Sequence, residues 1–493
     1  MNALEQNRTA NGQIEKELEA DIYVNRSGAI SQATFRSYIH QGDKGLVIGQ
    51  NSRAGLAAWP RIFSFCGGAH QLAAARALER IWEVTPPPNA QLLRSIAQAA
   101  EILQNASRWF YTTFGPDLAH TFFSGHALHP QTQQRFAAFK GDSFHRGIMA
   151  GALPTALYTL FAGQWPYADF LIPGGVNAGV QPRDLARAFA LVDRYRSEWL
   201  EPLWLGCPVE RYLDIKSWEG LMEWLEEKAA HRNSDLGLFL QAALNFGLDK
   251  MGGSPGNYLS YGDFWSVESA ATADSAQFQQ ALQLPSGFLN RGGLQKIQET
   301  DIYALLGAPA EAPHFRNQAV EAGPLARMAI AAAMPEQAAS HPLIGDVLQK
   351  KGASVFTRAL ARMHETAVLF NLIRNWLSEL NLKEPFAIPV RERDGQGFGL
   401  AEAPRGALAH YVQLKNGVIS NYRILSPTIL NIQSGISVGK ESPLEYALKG
   451  TNLRTPNNPF EVGLTARSFD TCLACNVSVF KSRKGQAMVK AQV

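Results

Sequence analysis

Apolar residues recur at helical spacing through most of the middle of the chain. From His70 to Trp82 the residues are mostly strong helix formers, until three consecutive prolines at 86–88 end the pattern. A second, longer helix is predicted from Asn89 to Phe114, where the positions that keep its spacing are Leu92, Leu93, Ile96, Ala99, Ala100 and Leu103. The same spacing predicts further helices over residues 182–202, 217–248, 324–334 and 354–381.

Alternating apolar and polar positions predict strands nearer the ends of the chain. Asp21–Val24 and Arg26–Ile30 resemble the two arms of a hairpin with a glycine at its turn. The pair Asn416-Gly417 separates two alternating runs inside a β-rich stretch, 396–432, and such a pair is a strong hairpin signal. Glycine and proline interrupt two stretches that are predicted to be irregular, 163–181 and 252–264.

These patterns predict an α+β fold that is mainly α, with a helical body and β segments near the N- and C-terminal ends. No repeat and no clear linker divides the chain, so a single domain is expected over residues 1–493. Its predicted parts are a β-rich N-terminal part, a helical body, and a C-terminal part with a hairpin and a tail, at 14–60, 61–390 and 391–493.

Composition narrows the class of protein. Of the 493 residues, 46% are hydrophobic and 18% are charged, which allows a large buried core; a net charge of +3 without a dense basic run argues against nucleic-acid binding. The polar N-terminus lacks the apolar segment of a signal peptide, and no apolar run reaches the length of a membrane span. Four cysteines in so long a chain do not form a disulfide framework. We therefore expect a cytoplasmic protein with no transmembrane segment and no nucleic-acid partner.

Three of the four cysteines lie in two clusters at opposite ends of the chain. Cys472 and Cys475 form a C-x-x-C pair whose spacing suits one metal ion, although redox exchange or a buried pair without a ligand has the same spacing. Cys66 stands alone before two glycines, because Phe63 occupies the place where a matching C-x-x-C would have its first cysteine. A lone cysteine is more often a small core residue. His70 could either hydrogen-bond a thiolate or belong to the core.

The residues around these clusters resemble a known family along nearly the whole chain. The resemblance is to the large subunit of nickel–iron hydrogenases, and the segments that carry it, in family order, are Arg61–His70, Pro173–Val176, Asn257–Gly262, Gly323–Met328, Glu402–Leu408, Pro427–Thr428 and Ser468–Cys475. It implies the fold of that subunit. It also implies a centre of nickel and iron, in which the iron carries cyanide and carbon monoxide. Whether this chain is a catalyst is left open.

The resemblance implies an incomplete set of metal ligands. In the family, two cysteines bridge nickel and iron, and two more bind nickel alone. Cys66 and Cys475 match the bridging pair and Cys472 matches one terminal nickel ligand, whereas Phe63 occupies the place of the other. Thiolates are soft ligands that suit both metals, and a phenyl ring cannot coordinate. The iron ligands for an Fe(CN)2(CO) unit are therefore retained, whereas nickel has lost a ligand and is a doubtful cofactor.

Residues that lie beside the iron ligands in the family are matched as well. Pro404 and Arg405 correspond to residues next to one cyanide, and Thr428 corresponds to a hydroxyl that hydrogen-bonds the other. A guanidinium offers a charged fork of donors and a hydroxyl offers one donor. His70 matches a histidine near a bridging thiolate, and Asp470 is counted in the same cofactor pocket. If the chain is an enzyme, Arg405 is also a predicted catalytic residue.

Other positions depart from the family. The family aspartate near the metals is matched by Asn105, which keeps the shape and loses the charge. Ile39 and Ser478 replace two ligands of a structural magnesium ion, so magnesium is not expected. Ser478 also replaces the histidine after which the family precursor is cut, so the tail at 479–493 is predicted to stay. Glu15 matches a proton-passing glutamate, which makes it a predicted catalytic residue in an enzyme; an ordinary surface glutamate is the equal alternative.

These features favour a maturation protein over a catalyst. We predict a hydrogenase assembly protein, similar to the HupK/HoxV type, that receives the Fe(CN)2(CO) unit on Cys66 and Cys475. Its expected partners are hydrogenase maturation chaperones and the true large subunit that receives the unit. The alternative is a nickel-dependent hydrogenase with altered nickel ligation, which would need a small iron–sulfur subunit because this chain lacks cysteines for relay clusters. A third hypothesis is a metal-free interaction or sensory protein.

Overall fold

Helices form most of the computed structural model, which describes residues 17–37, 46–262, 286–307, 313–334, 342–432, 441–455, 459–471 and 476–479. The described α-helices, numbered α1 to α18 in chain order, are Ala54–Ile62, Gly67–Trp82, Pro88–Trp109, Gly115–Leu118, His129–Phe136, Asp142–Ala162, Pro182–Tyr195, Val209–Leu213, Trp218–Glu227, Ala229–Asn233, Asp235–Asn245, Glu299–Gly307, Pro324–Ala333, Pro342–Lys351, Val355–Glu379, Pro427–Ile432, Pro443–Leu448 and Phe460–Ser468. Two π-helical segments, Phe110–Phe114 and Arg196–Leu205, continue α3 and α7. Within the described ranges, no helix is both long and apolar enough to cross a membrane.

Short strands form four small sheets in the described part of the chain. The strands, β1 to β11, are Glu17–Val24, Ile30–Ser37, Leu171–Ile172, Gly175–Val176, Tyr258–Ser260, Gly287–Asn290, Gly293–Gln295, Gly395–Ala403, Gly406–Lys415, Val418–Leu425 and Asn476–Val479. Their orders are β11-β1-β2, β3-β4, β5-β6-β7 and β10-β9-β8. Neighbouring strands are antiparallel except β1 and β11, which are parallel and join the two ends of the chain.

Both predicted hairpins are present. Strands β1 and β2 pair across a turn in which Gly28 has a φ of +85°, but the predicted second arm, Arg26–Ile30, is mostly that turn, and the second strand is Ile30–Ser37. Strands β9 and β10 pair across Asn416 and Gly417, whose φ angles are +55° and +74°. Two successive left-handed residues make the tight turn that matches the twist of the strands. The mainly helical fold with strands at both ends is thereby confirmed for the described residues.

The structure also differs from the sequence prediction at other places. The helix predicted over 217–248 is divided into α9, α10 and α11, and α11 begins where the Ser234 hydroxyl accepts from the amide of Gly237. The end of the predicted β stretch is helix α16, which begins at Pro427. The sheets β3-β4 and β5-β6-β7 lie in the middle of the chain, wholly or partly in the two segments predicted to be irregular, and their strands have only two to four residues each. Strands this short carry too few alternations to be recognised.

Helices α2 and α3 form an antiparallel hairpin at the centre of the molecule. Helix α3 begins at Pro88, where the missing amide proton costs no helical hydrogen bond. Arg94 on α3 forms a buried two-point ion pair with Glu79 on α2, at 2.6 and 3.1 Å. The largest apolar cluster runs along α3, α6, α7 and α15 on one side of this hairpin. Strand β8 covers α2 on its other side.

Glycine is required where β8 crosses α2. A Cβ atom at Gly399 would lie 2.0 Å from the carbonyl oxygen of Ala73 and 2.4 Å from the amide nitrogen of Ala77. Because these are backbone atoms of α2, no side-chain rotation can make room. We expect Gly399→Ala to lower the free energy of unfolding by about 1–3 kcal/mol. The measurement is a urea titration. Gly179→Ala is the matched control, since nothing lies within 4 Å of that Cβ position; an equal loss in both variants would contradict the packing argument.

Candidate metal centre

Cys66 lies at the start of helix α2. It ends the 3₁₀ turn Ser64–Cys66, its amide donates to the carbonyl of Phe63 at 2.9 Å, and it is the residue that caps α2. Its side chain is half-buried and is not in a disulfide. The dipole of a helix favours negative charge at this end. The position therefore suits a thiolate that binds a metal.

A buried carboxyl group binds the same end of α2. Glu101 on α3 accepts hydrogen bonds from the amides of Gly68 and Ala69, each at 3.0 Å. Burial raises the pKa of Glu101 to about 7, although these two hydrogen bonds and the nearby Arg405 act in the opposite direction. Asn105, the predicted counterpart of the family aspartate, lies one turn further along α3; it is 2% exposed, and its Oδ1 has no hydrogen-bond partner among the described residues. The carboxyl group near Cys66 thus comes from Glu101.

The turn after β8 contacts the segment that leads into the second cysteine pair. Arg405 donates from Nε to the carbonyl oxygen of Asp470 at 2.8 Å, and its Nη2 lies 3.3 Å from Asp470 Oδ1. Arg362 on α15 donates to Asp470 Oδ2 at 3.1 Å and to the carbonyl of Pro404 at 3.3 Å. All three charged side chains are buried. Three of the predicted site residues, Pro404, Arg405 and Asp470, therefore belong to one hydrogen-bonded group. Asp470 lies two positions before Cys472 in the sequence.

Segments from distant parts of the sequence come together around Arg108. Burial lowers the pKa of Arg108, on α3, and the charges of Arg405, Asp470, Glu101 and Cys66 also act on that pKa. These residues come from α3, the turn after β8, the end of α18 and the start of α2, so the first cysteine motif and the approach to the second lie side by side. Thr428, another predicted site residue, is buried in the first turn of α16, which packs against β9.

The ring of Phe63 lies directly against His70. The rings of Phe63 and His70 are stacked, with centroids 3.9 Å apart and planes inclined by only 7°. The ring centroid of Trp59 lies 6.2 Å from that of Phe63. The phenyl ring therefore packs against His70, at the position that the sequence prediction matches to a nickel-binding cysteine.

A buried polar chain orients His70. Its Nδ1 lies 2.9 Å from Nε2 of His410, and Nδ1 of His410 lies 2.8 Å from the hydroxyl oxygen of Tyr422. Burial lowers the pKa of His410 to about 3 and raises that of Tyr422, so both groups are neutral. A neutral His410 donates through one ring nitrogen and accepts through the other, which fixes the orientation of the His70 ring.

Several predicted residues cannot be placed. Cys472, Cys475, Glu15 and Ile39 lie outside the described residues. Ser478 is in strand β11, where its backbone is paired with Glu19 of β1. The predictions for these positions stay predictions.

Sequence reasoning missed the charged residues of the site that lie on helices. Arg94, Glu101 and Arg108 follow one another at intervals of seven residues on α3, about two helical turns, and so share one face. That face runs along α2, from Glu79 at one end to Phe65 at the other. Three charges in heptad spacing on an otherwise uncharged helix were the available signal. Arg362 and His410 gave no comparable signal.

The described donors fit part of a metal centre. Cys66 supplies a soft thiolate, and Arg405 and Thr428 supply a guanidinium and a hydroxyl group that suit anionic ligands of a metal. Within the described ranges, no group of three or more His, Cys, Asp or Glu residues is close enough to hold a metal ion by itself. The prediction that Cys472 and Cys475 complete the ligand set concerns residues that directly follow the described residue 471 and stays a prediction.

The sequence is similar to a known family over more than half of its length. The matching family model is described as nickel-dependent hydrogenase and covers residues 42–134 and 295–478. The chain is 24% identical to the Hydrogenase-1 large chain of Citrobacter freundii, over 97% of this chain and 96% of the relative. It is 25% identical to the Hydrogenase-2 large chain of Escherichia coli strain K12, over 97% and 98% of the two chains.

The structure is similar to solved hydrogenases. A nickel–iron–selenium hydrogenase from D. vulgaris Hildenborough superposes with a TM-score of 0.72 at 20% identity, over 94% of this chain and 97% of the other. The [NiFeSe] hydrogenase of Dm. baculatum gives a TM-score of 0.73 at 19% identity, with the same coverage. At this level of identity the likeness concerns the fold, and it confirms the expected helical body with small sheets.

Proposed function

This chain belongs to the nickel-dependent hydrogenase family, and from that premise we propose that it is an assembly protein that carries an Fe(CN)2(CO) unit for a nickel–iron hydrogenase. Cys66 and Cys475 would hold the iron, and Arg405 and Thr428 would donate hydrogen bonds to its cyanide ligands. Hydrogenase maturation chaperones and the catalytic large subunit would be the partners. The unit is then cargo, so the site binds it and later releases it.

The position of Phe63 carries this proposal. A ring stacked on His70 at 3.9 Å has no lone pair to offer a metal, and turning it away would break a close aromatic contact. In the family, the matched residue is a cysteine that binds nickel alone. The substitution therefore affects the nickel side selectively, whereas Cys66, Arg405 and Asp470 remain on the iron side. A chain that keeps iron ligands and fills the nickel position suits the handling of iron before nickel is inserted.

A catalytic large subunit is the second candidate. The observation in its favour is that the chain matches hydrogenase large chains over 97% of its length. In this case nickel would be held by three thiolates, Arg405 and Glu15 would be catalytic, and a small iron–sulfur subunit would be needed for electron transfer.

Infrared spectroscopy combined with metal analysis separates the two candidates. The protein should be purified anaerobically from its native host. Cyanide and carbonyl stretching bands with iron and without nickel would support the assembly role. Equal amounts of iron and nickel, together with hydrogen-dependent dye reduction, would support the catalyst. Neither metal would overturn both and leave a metal-free interaction protein.

Replacing Phe63 by cysteine tests the argument directly. We expect Phe63→Cys to raise the nickel content toward that of iron, because it supplies the absent thiolate and removes the ring stacked on His70. The measurement is nickel per chain after expression in the native host. Phe65→Cys is the matched control: it also exchanges a ring for a thiol next to Cys66, but at a position that is not a metal ligand in the family. Equal nickel uptake by both variants would contradict a specific role of Phe63.

A further inference from the structure

Arg108 is a cation beside Cys66 that the proposed function does not yet use. It lies in the last turn of α3, with its guanidinium carbon 4.3 Å from the ring centroid of Phe65 and 5.7 Å from that of Trp165. Its Nη2 is shielded from solvent and has no hydrogen-bond partner among the described residues. No carboxylate within the described ranges lies within ion-pair distance of it. A buried, charged donor without an acceptor is costly, so the site is expected to receive one.

The two acidic groups close to Arg108 are engaged by other donors. Both oxygens of Glu101 accept from backbone amides of α2. The carboxylate oxygens of Asp470 are bound by Arg362 and Arg405. Neither acid is therefore placed to neutralise Arg108 by a direct contact.

Among the described residues, positive charge is in excess around Cys66. Three guanidinium groups, those of Arg108, Arg362 and Arg405, lie around the carboxylate of Asp470, while burial raises the pKa of Glu101 to about 7, so that this carboxyl group is only about half ionised at neutral pH. Arginine stays charged under these conditions. An excess of buried positive charge is relieved when an anion enters, and a planar guanidinium is well suited to bind it.

We propose that Arg108, together with Arg405, forms a binding site for the anionic cyanide-bearing face of a metal fragment held at Cys66. The inference rests on the proposed function and adds a charge requirement to it. Iron(II) bound by two cyanides, a carbonyl and two thiolates is a dianion, and in a two-metal centre the second metal ion would offset that charge. Here Phe63 stands at the nickel position, and the guanidinium of Arg108 supplies positive charge beside the same thiolate. Arg108 is thus a binding residue that lets the iron fragment be held without nickel.

The first experiment measures the fragment in protein from the native host. Wild type, Arg108→Met and Arg108→Lys are compared by iron content and cyanide stretching bands. Methionine keeps an apolar side chain of similar length beside Phe65 and removes the charge. Lysine keeps the charge and loses the planar guanidinium with its several donors. We expect Arg108→Met to lose about tenfold in iron occupancy and to shift the remaining cyanide bands, with Arg108→Lys intermediate. Arg194→Met changes an exposed arginine that pairs with Glu198, and this variant should match wild type. Unchanged iron content and bands in Arg108→Met would overturn the inference.

The second experiment needs no cofactor, so it separates this inference from the proposed function. Metal-free protein is titrated with thiocyanate, a linear anion whose carbon–nitrogen stretch reports its surroundings, after circular dichroism has established that each variant is folded. We expect saturable binding with a shifted band in wild type, weakened about tenfold in Arg108→Met. If the native protein carries no cyanide bands but this difference is found, the proposed function fails and the anion site stands. Equal thiocyanate binding in both proteins would reject the anion site.

Discussion

Replacing Arg327 by methionine is expected to lower the free energy of unfolding by about 3–5 kcal/mol. Arg327, on α13, is fully buried and donates to both oxygens of Glu365 on α15, at 2.5 and 2.6 Å. It also donates to Glu402 in β8 at 2.9 Å and to the carbonyl of Ala403 at 3.1 Å. Methionine would leave two buried carboxyl groups without their cation, and the large penalty comes from those stranded charges.

The loss should extend to the candidate site, because Glu402 and Ala403 immediately precede Pro404 and Arg405. Urea titration followed by circular dichroism gives the change in unfolding free energy. Arg194→Met is the control, since that arginine pairs with an exposed glutamate and both side chains remain in water; it should leave stability unchanged. A small effect of Arg327→Met, similar to that of the control, would show that the two carboxyl groups are readily neutralised by protonation.

Stability is expected to fall by about 3 kcal/mol between pH 4.5 and pH 7 because of Glu101 alone. Its pKa is about 7 in the folded protein and 4.5 for an ordinary glutamate. Between these values the folded protein retains a proton that the unfolded chain has released. The folded state therefore binds more protons, and the free energy of unfolding decreases as the pH rises through this window. The stabilisation is complete below pH 4.5 and has been lost above pH 7.

Other buried acids also titrate, so the effect is read from a difference. The pKa values of Asp117, Asp235 and Glu402 are raised by burial as well. Subtracting the pH profile of Glu101→Gln from that of wild type isolates Glu101, because glutamine does not ionise. Glutamine also loses one of the two bonds to Gly68 and Ala69, which lowers stability by a constant amount at every pH. A difference profile that is flat from pH 4.5 to 7 would show that Glu101 is ionised throughout.

The elements that frame the site were predictable because their signals are local. Helix α2 and helix α3 follow from runs of helix formers bounded by prolines, and the β9–β10 hairpin follows from Asn416-Gly417. The resemblance to a family placed Cys66, Arg405 and Asp470 in one site. The structure joins Arg405 to Asp470 by hydrogen bonds, and the charges of all three residues act on the pKa of Arg108; their binding of a cofactor stays a prediction. The roles of Cys472 and Cys475 stay predictions, since they lie outside the described residues.

The sequence by itself determined the helical body, the hairpins and the family, and it predicted that Phe63 stands where the family has a cysteine. Only the tertiary structure decided that Phe63 stacks on His70, that Glu101 caps the cysteine-bearing helix, and that Arg108 has no described counter-ion. The physical reason is that burial and electrostatic surroundings are set by segments far apart in the chain, as when the segment after α18 brings Asp470 to Arg362 of α15 and to Arg405 in the turn after β8. A pattern within one helix predicts which face is apolar; it does not reveal which charge will meet that face.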